Sequence, residues 1–294
     1  MSTTLITGSS GLLGSYAATR AAKFGWTVHA QHNEHATELP GCHMVQLDIR
    51  SRIAVRDFIL SVKPDSIIHT AAIRKLDPCE ENKPLAYDVN VNGTFNLAVA
   101  ANEIGAHMVF VSTDTVFDGR NNPYTVDDPP SPCHYYGFTK TAAETAMKAF
   151  PNSATVRTSV IYGPSLLPHL ESFSDEICKA LRAGKTFQAY ADQIRAPIPA
   201  WNLADALLEI AERKLNGIFH CLCPQPSTRF QFACKIAEVF GYPLDLIQPI
   251  FMSEIKQNVQ RSNALILDTS STVRKLNTHL ANFEEGIMQL RERY

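Results

Sequence analysis

Residues 7–14 read Thr7-Gly8-Ser9-Ser10-Gly11-Leu12-Leu13-Gly14, and this stretch decides the fold. It follows the apolar pair Leu5-Ile6, and residues 12–24 after it carry apolar side chains suited to a helix packed on a sheet. A strand, a glycine turn and a helix bring backbone N–H groups and a helix dipole to one point. The stretch therefore predicts a cradle for a dinucleotide pyrophosphate. A tight connection that binds nothing is the alternative reading of such a turn.

Apolar runs alternate with amphipathic stretches through the first half of the chain, which is the pattern of a parallel sheet with crossover helices. The predicted strands and helices are, in order, strand 4–7, helix 12–24, strand 27–30, helix 51–62, strand 66–69, helix 83–104, strand 108–111, helix 135–149 and strand 154–157. The predicted fold class is α/β: a Rossmann-type doubly wound parallel sheet with a smaller C-terminal α/β substrate lobe.

Prolines interrupt this alternation beyond about residue 163, which indicates a second lobe. We predict a dinucleotide-binding Rossmann domain over 1–163 and mainly a substrate-binding lobe over 164–294, with segments near 190–215 returning to the first domain. Helical spacing is found there at 170–184, 202–213, 228–240 and 283–292, and a short strand is predicted at 217–222.

The bulk composition excludes several classes of protein. The 294 residues include 27 Lys and Arg against 29 Asp and Glu, so no excess positive charge predicts a nucleic-acid or anionic-membrane partner. No run approaches the roughly 18 apolar residues of a membrane span, and the first strand leaves no room for a signal segment. Seven scattered cysteines fit a reducing location, so we expect a cytoplasmic protein. Cys221-Leu222-Cys223 beside His220 lacks a second ligand pair and predicts no metal site.

The end of the second strand bears on cofactor choice. NAD-preferring folds place an Asp or Glu there for the adenosine ribose, but this chain has Ala30-Gln31-His32-Asn33. The missing carboxylate favours NADP(H) slightly over NAD(H), although no arginine stands in that segment to hold a 2′-phosphate. Asp48-Ile49 follows a further short strand, the third of the sheet, which lies between strand 27–30 and helix 51–62. Asp48 is expected to meet the adenine there, or to cap the helix that begins near Ser51.

A Tyr-x-x-x-Lys motif, Tyr136 to Lys140, lies in the predicted helix 135–149. Residues four apart share a helix face. A nearby cation is expected to lower the pKa of a tyrosine from about 10 and so help it to deliver a proton. Carbonyl reduction needs such a proton at oxygen together with a hydride at carbon. A surface tyrosine and lysine on an ordinary helix are the alternative.

Ser112-Thr113-Asp114-Thr115 begins a polar motif at the C-terminal end of a predicted strand, where ligands bind in parallel sheets. The Thr113 hydroxyl is placed to hold a substrate carbonyl against the tyrosine, or to satisfy backbone groups at the strand end. We interpret Asp114 and Asp118 as turn formers.

Together these motifs resemble the extended short-chain dehydrogenase/reductases, and within them the dTDP-4-dehydrorhamnose reductase-like group. The resemblance covers nearly the whole chain. It rests on Thr7 to Gly14, His69-Thr70-Ala71-Ala72, Asp77, Cys79-Glu80, Val89 to Thr94, Ser112 to Gly119, Tyr136 to Lys140, Arg157 to Gly163, Asp192 to Ile198, Arg261 and Leu267-Asp268.

The resemblance implies an NAD(P)-dependent oxidoreductase with Thr113, Tyr136 and Lys140 as its catalytic triad and Asn90 as a fourth member. Arg195 would face the substrate cleft. The alternative is that this arginine is exposed and lies outside any cleft. The implied cofactor-binding residues are Gly8, Ser10, Gly11, Leu12, Leu13, Gly14, Asp48, Ile49, Ala71, Ala72, Ser112, Tyr136, Lys140 and Val160.

Two departures put a thymidine nucleotide in question. The dTDP-sugar reductases usually have a tyrosine where this chain has Thr115, and a base-stacking tryptophan where it has Val160. Stacking contributes roughly 1–3 kcal/mol per base in nucleic-acid sites. The expected activity is therefore reduction of a keto group on a sugar nucleotide or related small carbonyl compound.

Two other functions stay open at this point. The group includes the NADP-holding regulatory β subunit of methionine adenosyltransferase, which the chain also resembles at residues 136–140 and 217–220. A nucleotide-sugar epimerase is the second alternative. The expected partner is a small-molecule substrate, and the resemblance is compatible with a helix-mediated homodimer.

Overall fold

A seven-stranded parallel sheet forms the centre of the molecule in the computed structural model, which describes residues 2–35 and 38–294. Its strands are β1 (Thr3–Thr7), β2 (Thr27–His32), β3 (Cys42–Gln46), β4 (Ser66–His69), β5 (His107–Thr113), β6 (Ser153–Thr158) and β11 (Gly217–His220). They lie in the order β11-β6-β5-β4-β1-β2-β3, and every neighbouring pair is parallel. This is the doubly wound order, and it confirms the predicted fold class.

Eleven helices of the described residues cover the sheet and build the C-terminal part. They are α1 (Leu12–Lys23), α2 (Arg52–Val62), α3 (Leu76–Glu81), α4 (Lys83–Tyr87), α5 (Gly93–Ile104), α6 (Tyr135–Met147), α7 (Phe173–Arg182), α8 (Ala200–Glu212), α9 (Arg229–Phe240), α10 (Ser270–Lys275) and α11 (Phe283–Arg291). Short strands form three two-stranded sheets: β7 (Ile161–Tyr162) with β10 (Ile198–Pro199), β9 (Ile194–Arg195) with β12 (Ser227–Thr228), and β8 (Phe187–Tyr190) with β13 (Ile247–Ile250).

Helices bury both faces of the sheet. Neighbouring residues of each inner strand point to opposite faces and therefore enter different cores. Ile6 and Ile68 belong to a core shared with α1 and α8, whereas Leu5 and Ile67 belong to a second core shared with α2 and α5. Helix α8 packs against α1, and β11 joins the sheet beside β6. The central sheet thus also contains residues 217–220, which lie beyond the segments near 190–215 that we expected to return to the first domain. The division into two domains stays a prediction.

The predicted continuous helix 83–104 is wrong in its middle. A π-helical turn over Asp88–Asn92 separates α4 from α5, and Asn82 caps α4 by accepting a hydrogen bond from the N–H of Leu85. A π turn inserts one extra residue into a helix and often marks a functional site. Here it carries Asn90 into the protein interior, where its side chain is fully buried.

A buried ion pair joins helix α6 to strand β6. The Arg157 guanidinium donates to both carboxylate oxygens of Glu144 at 2.8–3.2 Å, and the two side chains are 1% and 3% exposed. The Ser112 hydroxyl of β5 donates to the same carboxylate at 2.6 Å, and His220 of β11 lies 3.4 Å from the guanidinium. One helix and three strands thus meet at this buried ion pair.

Replacing Glu144 with Gln should lower the free energy of unfolding by about 3–5 kcal/mol, because the Arg157 charge would stay buried without its counter-charge. The matched control is Glu103→Gln, which breaks the exposed ion pair with Arg56 and should cost much less, because solvent screens that pair. Urea unfolding of both variants measures the difference. Equal losses would contradict a special role for the buried pair.

Candidate active site

The glycine turn packs too closely for side chains at two of its three glycines. Gly8 has a φ of +71°, and a Cβ built there would lie 2.7 Å from the backbone nitrogen of Ala71. A Cβ on Gly14 would overlap the carbonyl oxygen of Gly8. Gly11 precedes α1 and adds no side-chain cap to its N-terminus. The turn therefore presents an uncapped helix start on a tight backbone, which fits a pyrophosphate group.

Residues distant in sequence hold this turn in place. The Gln31 side chain accepts a hydrogen bond from the N–H of Gly8 at 2.9 Å and donates to the carbonyl of Leu47 at 2.5 Å. His169 donates from Nε2 to the carbonyl of Ser10 at 3.2 Å. Sequence patterns predicted neither of these contacts, because neither follows from a local motif.

The strand register also brings an arginine to the end of β2. His32 lies opposite Gln46 of β3, so the turn after β3 stands beside it. In that turn Arg50 donates to both oxygens of Asp48 at 2.6–3.0 Å, and this pairing lowers the pKa of the carboxyl. Helix α2 is capped by Ser51, so the cap alternative for Asp48 is wrong. Ile49 is buried with its side chain against Gly93.

Tyr136 and Thr113 come together where β5 ends. A Cβ on Gly137 would overlap the carbonyl oxygen of Thr115, so the glycine lets the first turn of α6 approach that strand end. The Thr113 side chain lies close enough to Tyr136 to act against the rise in its pKa. Its hydroxyl also lies 3.0 Å from that of Thr115 and accepts from the N–H of Thr115 at 3.2 Å. The bond from the N–H of Thr115 is the backbone contact that the sequence offered as an alternative, whereas the role of Thr113 toward a substrate carbonyl stays a prediction.

The expected fall in the Tyr136 pKa is wrong for the chain by itself. Burial raises the pKa above 10.0, and the nearby Asp114 carboxylate raises it further, while Thr113 and Arg74 oppose the shift. Desolvation dominates because the half-buried side chain leaves the phenolate with less hydration than in water. A raised pKa keeps the phenol protonated at neutral pH, which is the form that donates a proton.

Lys140 is buried one helical turn beyond Tyr136, so the surface alternative for the motif is wrong for the lysine. Its Nζ lies 4.0 Å from the centre of the Phe110 ring. Burial lowers its pKa from 10.5 to about 7, and the Glu144 carboxylate opposes that fall. At neutral pH the ammonium can therefore lose its proton at little cost.

Asn90 links the π turn to helix α6. Its side chain accepts from the N–H of Ile73 at 2.8 Å and donates to the Ile73 carbonyl and to the Thr139 hydroxyl, both at 3.0 Å. Thr139 in turn donates to the carbonyl of Tyr136 at 2.8 Å. A buried amide with these partners fixes the first turn of α6, which carries the tyrosine.

Asp114 is more than a turn former. It begins a 3₁₀ turn at Asp114–Val116, but its side chain is only 4% exposed and accepts from the Ser159 hydroxyl at 2.5 Å and from Thr113 at 3.2 Å. Burial raises the pKa of this carboxyl, and the positive charges of Arg195 and Arg229 oppose the shift. Sequence reasoning missed this role because aspartate is common in turns. Asp118, which accepts from the Tyr124 hydroxyl, fits the turn interpretation.

Arg195 lies inside the protein, so the exposed alternative is wrong. It is 6% exposed and donates to the carbonyls of Ile194 at 2.7 Å and Ser262 at 2.8 Å. Two further arginines interact electrostatically with Arg195. The guanidinium of Arg229 lies 4.4 Å from the Phe173 ring centre, and the buried Nε of Arg261 has no hydrogen-bond partner. Positive charge therefore collects near Asp114.

The remaining predicted cofactor residues differ in their surroundings. Ser112 points its hydroxyl at Glu144, away from the turn, whereas the carbonyl of Val160 accepts from the N–H of Ile198 at 2.8 Å. Ala71 and Ala72 are partly exposed, and the first of them borders Gly8. Their roles toward a cofactor stay predictions.

Two classes of site are not found in the described part of the chain. Over residues 2–35 and 38–294, no three His, Cys, Asp or Glu side chains gather as metal ligands. No helix in the same ranges is long and apolar enough to span a membrane.

The whole chain matches one family. A family model described as the RmlD substrate binding domain covers residues 1–294. The chain belongs to this family. The match confirms the resemblance to the dTDP-4-dehydrorhamnose reductase-like group that the motifs indicated.

Named relatives of this family member differ in function. The probable low-salt glycan biosynthesis reductase Agl14 of Haloferax volcanii is 29% identical over 289 residues, covering 97% of this chain and 96% of the relative. Methionine adenosyltransferase 2 subunit beta of Rattus norvegicus is 32% identical over 279 residues, covering 90% and 80%. The crystal structure of dTDP-4-dehydrorhamnose reductase from Bacillus anthracis in complex with NADP superposes with a TM-score of 0.87 at 25% identity, covering 100% and 98%.

Replacing Gly14 with Ala should raise the dissociation constant of NADPH at least ~10-fold, because the new methyl overlaps the Gly8 carbonyl and displaces the turn. Overpacking of this kind also costs typically about 1–3 kcal/mol of stability. Fluorescence titration with NADPH and urea unfolding give the two values.

The control is Gly25→Ala. Gly25 has a φ of +80° with open space around it, so alanine there adds backbone strain of roughly 1–2 kcal/mol without touching the turn. NADPH affinity should stay within about twofold of wild type. Equal affinity for both variants would show that the turn does not hold the cofactor.

Proposed function

We propose that this chain is an NAD(P)H-dependent reductase of a keto group on a sugar nucleotide or a related small carbonyl compound. The observation that carries the proposal is the position of Thr113 near Tyr136 at the C-terminal edge of the parallel sheet, with Lys140 buried one helical turn further along α6. Ligands bind at this edge in such folds. The reductases among the named relatives support the same chemistry.

Each side chain has a role in the proposed reaction. A bound reduced nicotinamide supplies the hydride. Tyr136 donates its proton to the carbonyl oxygen, and Thr113 holds that oxygen with a hydrogen bond. Lys140 would stabilise the resulting phenolate and would help to hold the nicotinamide ribose, while Asn90 would keep the first turn of α6 and the proton path in place. The raised pKa of Tyr136 suits an acid that must arrive protonated.

The charges around Asp114 support an anionic substrate. Arg195, Arg229 and Arg261 lie on three different segments, and burial together with Arg195 lowers the pKa of Arg229 to about 10. Like charges are held together at a cost unless an anion joins them. A sugar nucleotide carries a diphosphate that would supply this charge. Thr115 and Val160 offer no aromatic ring to a base, so we propose no thymidine nucleotide in particular.

The cofactor we propose is NADP(H), with NAD(H) bound more weakly. Arg50 supports this choice, because it interacts electrostatically with Glu34, two residues beyond β2, and the adenosine ribose binds at the end of that strand in this fold. Its guanidinium is pre-organised by Asp48, and a guanidinium suits a 2′-phosphate.

Replacing Tyr136 with Phe should reduce the kcat for a carbonyl substrate with NADPH by about 100- to 10,000-fold, the usual contribution of a general acid. NADPH binding should change less than about threefold, since the phenol oxygen alone is removed. The control is Tyr135→Phe, which changes the neighbouring tyrosine and should leave kcat unaltered. A Tyr136→Phe variant with wild-type kcat would overturn the assignment.

Replacing Arg50 with Gln should weaken NADPH about tenfold and leave NADH unchanged, because a charge-assisted contact to phosphate is worth roughly 1.5–3 kcal/mol. The exposed neighbour Arg52 supplies the control, and Arg52→Gln should bind both cofactors as wild type does. Dissociation constants from titration decide the matter. Wild-type preference for NADH would refute NADP(H) selectivity.

One observation favours a regulatory subunit instead. The sequence of this chain is 32% identical to the methionine adenosyltransferase subunit and 29% identical to the reductase Agl14. A regulatory subunit would bind NADPH and turn over nothing. An epimerase would convert a nucleotide sugar without added cofactor. Stoichiometric NADPH oxidation by a panel of nucleotide sugars and small carbonyl compounds distinguishes a reductase from both.

A further inference from the structure

An imidazole caps the helix that carries Tyr136. His134 precedes α6 with an extended backbone, and its Nδ1 accepts a hydrogen bond from the N–H of Gly137 at 3.0 Å. The cap position more commonly holds Ser, Thr, Asp or Asn. The imidazole is buried, and its ring stacks on that of Tyr136 with centroids 6.2 Å apart and planes 15° from parallel.

This cap exists in only one protonation state. Nδ1 accepts from an N–H and so carries no proton, whereas in a charged imidazolium both nitrogens are donors. Protonation would set two donors face to face and would add positive charge at the positive end of the helix dipole. The charged form therefore loses the cap and pushes the imidazole away from the first turn.

Charged groups from three other segments surround the imidazole. Glu80 of α3 accepts from the N–H of Tyr135 at 2.8 Å. Burial lowers the pKa of His134 below 6.5, Glu80 opposes that fall, and Arg261 and Arg195 reinforce it. Tyr136 faces the ring from α6 itself. The neutral form is thus the one that this surrounding favours.

We propose that His134 is a positioning residue for Tyr136, and that the placement of this tyrosine depends on the protonation state of a single capping imidazole. The inference rests on the proposed function only in the role it gives Tyr136. Gly137, the donor to the cap, is also the residue whose contact with the Thr115 carbonyl sets the approach of α6 to Thr113. Loss of the cap would loosen that approach.

The sign of the pH effect follows from linkage. The unfolded chain protonates His134 near 6.5, and the folded chain protonates it at a lower pH. Between these two values the unfolded state binds more protons, so stability falls as pH falls. The cap contributes fully above about pH 6.5 and is lost as pH drops through the folded pKa.

The experiment compares wild type with His134→Asn, His134→Ala and the control His279→Asn. Asparagine keeps a cap and does not titrate, whereas alanine removes the cap. His279 is exposed and pairs with Glu285. NMR of the histidine and tyrosine rings is recorded from pH 8 to pH 4.5, with Tyr136 assigned by Tyr136→Phe, and urea midpoints are measured across the same range.

We expect His134 to titrate below 6.5 and the Tyr136 signals to move with the same midpoint. In His134→Asn those signals should stay constant over that range, and the urea midpoint should fall less on acidification than in wild type or His279→Asn. In His134→Ala the Tyr136 signals should differ from wild type at every pH. Glu80→Gln should lower the His134 midpoint further.

A turnover measurement then separates positioning from folding. With any carbonyl compound that wild type reduces, His134→Ala should lower kcat on the order of 10- to 100-fold, the scale of a misplaced catalytic group. His134→Asn should restore kcat and remove its decline at acid pH. A His134 midpoint at or above 6.5, or Tyr136 signals that ignore it, would overturn the proposal. Absence of any turnover would count against the reductase alone, because the NMR and urea results stand without it.

Discussion

The buried contact between Glu144 and Arg157 is the interaction on which the site depends. Helix α6 crosses the sheet above β5 and β6, and its carboxylate receives a hydroxyl from β5 and a guanidinium from β6. Sliding the helix by one residue would leave an unpaired charge inside the protein, so the ion pair disfavours other registers. Lys140 lies one turn before Glu144, so the same pair fixes where the lysine stands.

A second buried chain joins the glycine turn to that helix. Thr7 at the end of β1 lies 2.6 Å from Nδ1 of His69, whose Nε2 lies 3.0 Å from the Thr94 hydroxyl. Thr94 donates to the carbonyl of Asn90, and Asn90 donates to Thr139. Burial lowers the pKa of His69 to about 3, so this path stays uncharged at neutral pH. The glycine turn and the helix turn that carries the proposed proton donor are thus joined by one hydrogen-bonded network.

Sequence patterns predicted the framework well because they report local physics. Strand β4 was predicted with its observed ends, and α1 and α6 within two residues, since apolar periodicity and glycine turns act over short distances. The π turn at Asp88–Asn92 was missed, and its Asn90 side chain bonds the backbone of Ile73, a partner outside the helix. A helix pattern alone does not contain that partner.

The sequence by itself determined the doubly wound fold, the glycine turn and the set of residues proposed for catalysis. Only the tertiary structure decided their electrostatics. It reversed the expected pKa shift of Tyr136, turned Asp114 inward among arginines, and placed Arg50 beside the end of β2. The physical reason is that pKa values depend on burial and on charges brought close by strand register and helix docking, whereas propensity and periodicity depend on neighbours along the chain.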